Sequence, residues 1–67
     1  VKFTETDLKI LDLIVEGKSN REIGEIIHLS EGRVGNRISN MLAKTGLADR
    51  AALAVYYTIK IIFTNKE

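Results

Sequence analysis

The 67-residue chain has no cysteine, no proline and a single histidine. Without cysteine, disulfide staples and thiolate metal sites are excluded, and nothing points to an oxidising compartment. A reducing cytoplasm is the expected setting. The lone His28 has no second histidine or cysteine with which to build a metal site, and it reads as a turn residue tolerant of unusual backbone angles. With no proline, no repeat and no low-complexity stretch there is no sign of an internal linker, so residues 1–67 are expected to form one domain. Long hydrophobic runs are missing too. The longest, residues 51–57, falls far short of the roughly 20 residues that a membrane span needs, and the ends show no signal peptide. A soluble domain with no membrane partner is expected, and at this length it hides only about 60% of the surface exposed by its unfolded form.

Charge of one sign is also lacking, with ten Lys and Arg against nine Asp and Glu. The distribution is uneven. Residues 1–29 carry four basic against six acidic side chains, residues 30–50 four against two, and residues 51–67 two against one. A weakly basic middle on an acidic body suits a protein that presents one segment to a polyanion. Catalysis has little to stand on. No spacing arranges a nucleophile, a base and an orienting group, and no glycine-rich phosphate loop follows a strand, so neither an enzyme nor a cofactor site is expected.

What is present is helical periodicity, opened each time by a capping residue. Thr4 and Asp7 form a capping box for a first helix over about 5–16, with Leu8, Leu11, Ile14 and Val15 on its apolar side, Ile10 and Leu13 alongside, and Gly17 as the stop. Ser19 and Glu22 form a second box for a short helix over about 20–27, whose stripe is Ile23, Ile26 and Ile27. Gly24, inside it, is tolerable if a neighbouring helix approaches the backbone closely. Only a few residues separate Ile27 from Ser30, the next cap, so the second and third helices must be joined by a tight turn and cross steeply. The third helix spans about 31–45 and ends at Gly46. Val34, Ile38, Met41 and Thr45 share one side with Leu42 at its margin, and the opposite side is polar, centred on Asn36.

Asp49 caps a fourth helix over about 50–62. Leu53, Ala54, Tyr57 and Ile61 can face the core, which leaves Ala52, Val55, Tyr56, Ile59 and Ile62 pointing elsewhere. A peripheral helix apolar all round is shared with a partner, so Ala52, Val55, Tyr56 and Ile59 are read as a dimer contact; the alternative is a wider core contact. The expected fold class is therefore all-α, with four helices.

The order of elements and the local wording resemble the LuxR-type, or NarL/FixJ-type, helix-turn-helix domain. The matching stretches are Phe3-Thr4, Ile10-Leu11-Asp12-Leu13-Ile14-Val15-Glu16-Gly17, Ser19-Asn20-Arg21-Glu22-Ile23-Gly24, Leu29-Ser30-Glu31, Val34, Lys44, Gly46-Leu47 and Asp49-Arg50. The resemblance implies that the second and third helices form the helix-turn-helix of a transcription regulator, that the third enters the major groove of double-stranded DNA, and that the fourth pairs two subunits. It also implies the C-terminal output part of a longer response regulator of a two-component system, with a receiver or sensor domain upstream. The chain departs from the family's wording at Arg33-Val34-Gly35-Asn36-Arg37, where threonine-valine-lysine followed by a histidine is usual, so the usual lysine contact is missing at Gly35. Thr45 stands where a core leucine is usual, and Gly24 where an alanine is.

On that docking, base contacts set sequence preference and phosphate contacts set position. Arg33 and Asn36, near the start of the third helix, are the expected base readers, because arginine matches guanine O6 and N7 and asparagine matches adenine N6 and N7. Ser39 and Asn40 follow farther along. Arg21, Arg37 and Lys44 are assigned to phosphates, with Ser19, Asn20 and Ser30 as backbone contacts. Each has a plainer reading as helix surface or cap, and Arg50 reads as structural, pairing with an acid of the first helix such as Asp7. The rival for the whole chain is a helical protein-interaction module that does not touch DNA.

Overall fold

The computed structural model describes residues 2–64, with side chains described through Ile61. Four helices follow one another: α1 (Glu5–Val15), α2 (Asn20–Ile27), α3 (Glu31–Thr45) and α4 (Arg50–Thr64). No strand occurs among the described residues. The boundaries follow local chemistry. Thr4 Oγ1 accepts from the Asp7 amide while Asp7 Oδ2 accepts from the Thr4 amide, both at 3.1 Å. Ser19 and Glu22 repeat the arrangement at 3.1 and 2.8 Å, Ser30 Oγ accepts from the Arg33 amide at 3.1 Å, and Asp49 Oδ1 accepts from the Ala52 amide at 2.9 Å. Each cap satisfies a donor that the helix itself leaves unpaired.

The stops are equally local. Gly17, at φ +88°, lets the chain turn so that the Gly17 and Lys18 amides reach back to the Ile14 and Leu13 carbonyls at 2.9 and 3.0 Å. His28 closes α2 in the left-handed region at φ 65°, and the Leu29 amide returns to the Gly24 carbonyl at 2.9 Å. The tight bend into α3 explains Gly24. A β-carbon there would collide with the Leu29 carbonyl oxygen, so the close approach comes from the backbone of the turn rather than from a neighbouring helix.

The core collects Ile10, Leu11 and Ile14 from α1, Ile23 from α2, Val34, Ile38 and Met41 from α3, and Leu53 and Tyr57 from α4. Six of these, Ile10, Leu11, Ile23, Val34, Met41 and Leu53, are fully enclosed side chains. Each methylene so hidden contributes about 0.8 kcal/mol. The apolar stripes expected from periodicity are corrected at several places. On α1 the buried row is Ile10, Leu11 and Ile14, while Leu8 and Val15 are exposed; on α2 only Ile23 is enclosed, Ile27 is half-buried and Ile26 is exposed. Ile61, expected to face the core, is 40% exposed, because α1 stops at Val15 and offers the last turns of α4 nothing further to pack against. The expectation for Ile62 lies outside the described side chains.

Candidate nucleic-acid interface

α2 and α3 pack against each other through the His28–Leu29–Ser30 turn, and α1 holds both from behind. Since Val34, Ile38 and Met41 anchor one side of α3 in the core, a period of 3.6 residues forces the other side outward. Arg33, Asn36, Ser39 and Asn40 are all exposed on that side. Arg33, Asn36 and Asn40 border one shallow hollow, together with Thr6, Leu29 and Arg37. Among the described residues Arg33 has no acidic partner within 4 Å, so its five N–H donors are available to a ligand. Gly32 and Gly35 keep the first turns of this surface low. A β-carbon built on Gly35 would sit 3.7 Å from Asn20 Nδ2, which puts the start of α2 beside the second turn of α3.

The basic residues differ in how free they are. Arg21 is exposed and makes a loose pair with Glu25 one turn on, at 3.6 Å, worth only a few tenths of a kcal/mol. Arg37 is engaged with α1. Its Nε and Nη2 donate to Asp7 Oδ1 at 3.1 and 2.9 Å, and Nη2 also donates to Thr4 Oγ1 at 2.7 Å. Lys44 Nζ lies 3.8 Å from Asp7 Oδ2 and donates to the Lys2 carbonyl at 3.3 Å. Two cations on α3 therefore share one carboxylate, which is only 4% exposed. Burial pushes the Asp7 carboxyl up, but the Thr4 amide, the Arg37 guanidinium and the Thr4 hydroxyl together hold it below the usual carboxylate range.

Sequence reasoning gave Asp7 a capping role and offered it as an ion-pair partner for Arg50, but missed that its cations are Arg37 and Lys44. A signal was available, because Asp7 continues the buried row of Ile10, Leu11 and Ile14 at helical spacing. Arg50 does bond within the protein, but not to Asp7 as expected. Its Nη1 donates to Asn20 Oδ1 and its Nη2 to the Lys18 carbonyl at 2.6 Å, so α4 clamps the turn that leads into α2. Ser19 and Ser30 are exposed and spend their oxygens as caps.

On α4, Val55 is 59% and Ile59 50% exposed, one turn apart on the same flank. Ala52 is half-buried. Tyr56 is half-buried and packs edge-on against Phe3, with ring centroids 6.4 Å apart, while Lys60 Nζ lies 5.7 Å from its ring centre. Tyr57 reaches across to α1, where its hydroxyl donates to Asp12 Oδ1 at 2.7 Å.

Residues 1–57 match the family GerE, bacterial regulatory proteins of the luxR family. The chain belongs to this family. As a luxR-family domain it is 45% identical over 53 residues to the transcriptional regulatory protein LiaR of Bacillus subtilis, an alignment that covers 79% of this chain and 25% of LiaR. It is 40% identical over 52 residues to the transcriptional regulatory protein DegU of Brevibacillus brevis, with coverage of 78% and 22%. The response regulator protein VraR of Staphylococcus aureus is 38% identical over 53 residues, with coverage of 79% and 25%. The luxR-family domain thus spans about a quarter of the length of the curated relatives it matches. No solved structure matches it. Among the described residues no helix is long and apolar enough to cross a membrane.

Proposed function

We propose that this luxR-family domain binds double-stranded DNA with sequence preference by laying α3 in the major groove, as the output part of a cytoplasmic transcription regulator. One observation carries the reading: α3 is pinned by Val34, Ile38 and Met41 and turns Arg33, Asn36, Ser39 and Asn40 outward, with no acid on the helix after Glu31. Arg33 and Asn36 read base edges, each good pairing discriminating by about 1 to 3 kcal/mol. Ser39 and Asn40 extend the contact. Arg21, Arg37 and Lys44 meet phosphates, with Ser19, Asn20 and Ser30 supplying backbone contacts at the two helix starts. Arg37 and Lys44 do so while tethered to Asp7, whose negative charge offsets part of their pull on a phosphate and whose position aims them.

Two copies pair through the flank of α4 that carries Ala52, Val55, Tyr56 and Ile59, which sets recognition helices about one DNA turn, roughly 34 to 36 Å, apart. The exposed Val55 and Ile59 support this. The greater length of the relatives, one of them a response regulator by name, supports a receiver or sensor domain upstream in the full-length protein. Selection of bound sequences from random duplex DNA, repeated with Arg33→Ala and Asn36→Ala, tests the assignment. A site that each substitution relaxes at a different position is expected, and selection of no sequence over background refutes it. The rival reading, a protein-interaction module, predicts binding to a partner that is nearly insensitive to salt, whereas duplex affinity falls steeply as salt rises.

A further inference from the structure

Arg50 lies at the first position of α4 and was read from sequence as structural. Its surroundings are unusual for a half-buried arginine. Among the described residues no carboxylate lies within 4 Å, and both partners of the guanidinium are neutral carbonyl oxygens, one from Asn20 and one from the Lys18 backbone. A guanidinium has donors only, so the Asn20 atom that faces it must be Oδ1. That choice decides where the other half of the amide goes. Asn20 Nδ2 donates to no acceptor among the described residues, and no buried polar side-chain atom is left without a partner, so this NH₂ opens to solvent. It lies beside Gly35, where α2 begins next to the reading face of α3.

We propose that Arg50 is a positioning residue for DNA binding: it locks the Asn20 amide so that Nδ2 donates to a phosphate oxygen, without touching DNA itself. The inference rests on the DNA-binding reading above and adds to it the residue that orients one of its contacts. An untethered asparagine at a helix start turns about two side-chain bonds and presents oxygen or nitrogen alike; oxygen toward a phosphate repels. The clamp removes that alternative before DNA arrives, so the cost of orienting the amide is met during folding. The guanidinium charge also polarises the amide toward stronger donation.

The test is duplex titration of the 67-residue domain on its selected site, at several salt concentrations, with Asn20→Ala, Arg50→Ala, the double variant and Arg50→Lys. Asn20→Ala and Arg50→Ala should each weaken binding about tenfold, the loss of one hydrogen bond to a charged acceptor. The double variant should bind no more weakly than either single one. The salt slope should stay unchanged in both, because a neutral amide displaces no counterion and Arg50 meets no phosphate. Arg50→Lys should weaken binding as alanine does, since an ammonium keeps the charge but lacks the planar fork that spans two carbonyls.

The proposal is overturned if Arg50→Ala lowers the slope by about one unit, if its effect adds to that of Asn20→Ala, or if Arg50→Lys binds like the unaltered domain. Where Arg50→Ala loses helical circular dichroism, Arg50→Lys and Asn20→Asp decide. The aspartate variant keeps an acceptor for the guanidinium, so it should melt no lower than the unaltered domain and yet bind weakly; wild-type affinity in it overturns the proposal. If the unaltered domain binds no duplex at low salt, the DNA-binding reading itself has failed, a result distinct from all of these.

Discussion

Arg37 on α3 and Asp7 on α1, thirty residues apart in sequence, are joined by two N–H donors on one carboxylate oxygen at 2.9 and 3.1 Å. The pair links the outward face of α3 to the cap of α1, because the same carboxylate closes the capping box with Thr4. Asp7 is thus at once a helix cap, a core-facing side chain and an ion-pair partner. The orientation of α3 depends on a charge that lies behind it.

That charge has a pH signature. The folded Asp7 carboxyl sits below its ordinary value of 3.8, so its contribution is fully present above that value and is lost as pH falls through the folded one. Thermal melts of the domain from about pH 5 down to about pH 2 should show this contribution held above 3.8 and lost progressively below it. Asp7→Ala should flatten this slope and cost about 2 kcal/mol at neutral pH, below the usual figure for breaking a buried pair because Arg37 is partly solvated. An unchanged acid profile in the variant would remove Asp7 from the account.

Alkaline pH tests the opposite corner. Burial, with the hydrogen bond and charge of Asp12, pushes the Tyr57 phenol up from 10.0 to about 12. A raised folded value means that the contribution is complete below about pH 10 and is lost as pH rises through about 12. Tyr57→Phe should abolish that alkaline loss and lower stability at neutral pH by about 1 kcal/mol, the worth of one hydrogen bond. Absorbance titration of the phenol in the folded domain checks the value directly.

Two glycines should respond to alanine with opposite signs. At Gly32, exposed in the first turn of α3 with nothing within 4 Å of an added methyl group, alanine should stabilise by up to about 1 kcal/mol. Gly24→Ala should destabilise by more than that, because the new methyl group meets the Leu29 carbonyl of the turn. Urea melts of the two variants would show midpoints moving apart. Both midpoints rising would mean that the α2–α3 turn is looser than its hydrogen bonds imply.

Pairing through α4 is best probed at Val55, which is 59% exposed and makes no core contact. Val55→Glu should leave the helical signal and melting temperature nearly unchanged while reducing self-association in sedimentation and weakening binding to a two-half-site duplex. Tyr56 is a poorer probe than sequence alone indicated, since its ring also supports Phe3. Equal affinity of Val55→Glu for one half-site and for two would be the outcome that keeps pairing; equal loss on both would argue against it.

Much of the candidate interface could be read before any coordinates. Thr4, Ser19, Ser30 and Asp49 each open a helix where expected, because a cap is a contract between residues three apart and needs no distant partner. The polar side of α3 was legible for the same reason: once Val34, Ile38 and Met41 share a face, Arg33, Asn36, Ser39 and Asn40 must leave it. Helix boundaries, the left-handed turns at Gly17, His28 and Gly46, and the all-α class follow from interactions within five residues of chain.

Tertiary packing decided the rest. α1 and α4 are apolar over so much of their circumference that periodicity could not say which row is enclosed; the lengths of their neighbours chose Ile10, Leu11 and Ile14 over Leu8 and Val15, and left Ile61 at the rim. The partners of Arg37 and Arg50 were likewise open, because a long cationic side chain reaches any acceptor that folding brings near, and Asp7 and Asn20 each lie 30 residues away. Spacing along a helix determines which side chains share a face, but only the assembled core determines what each face meets.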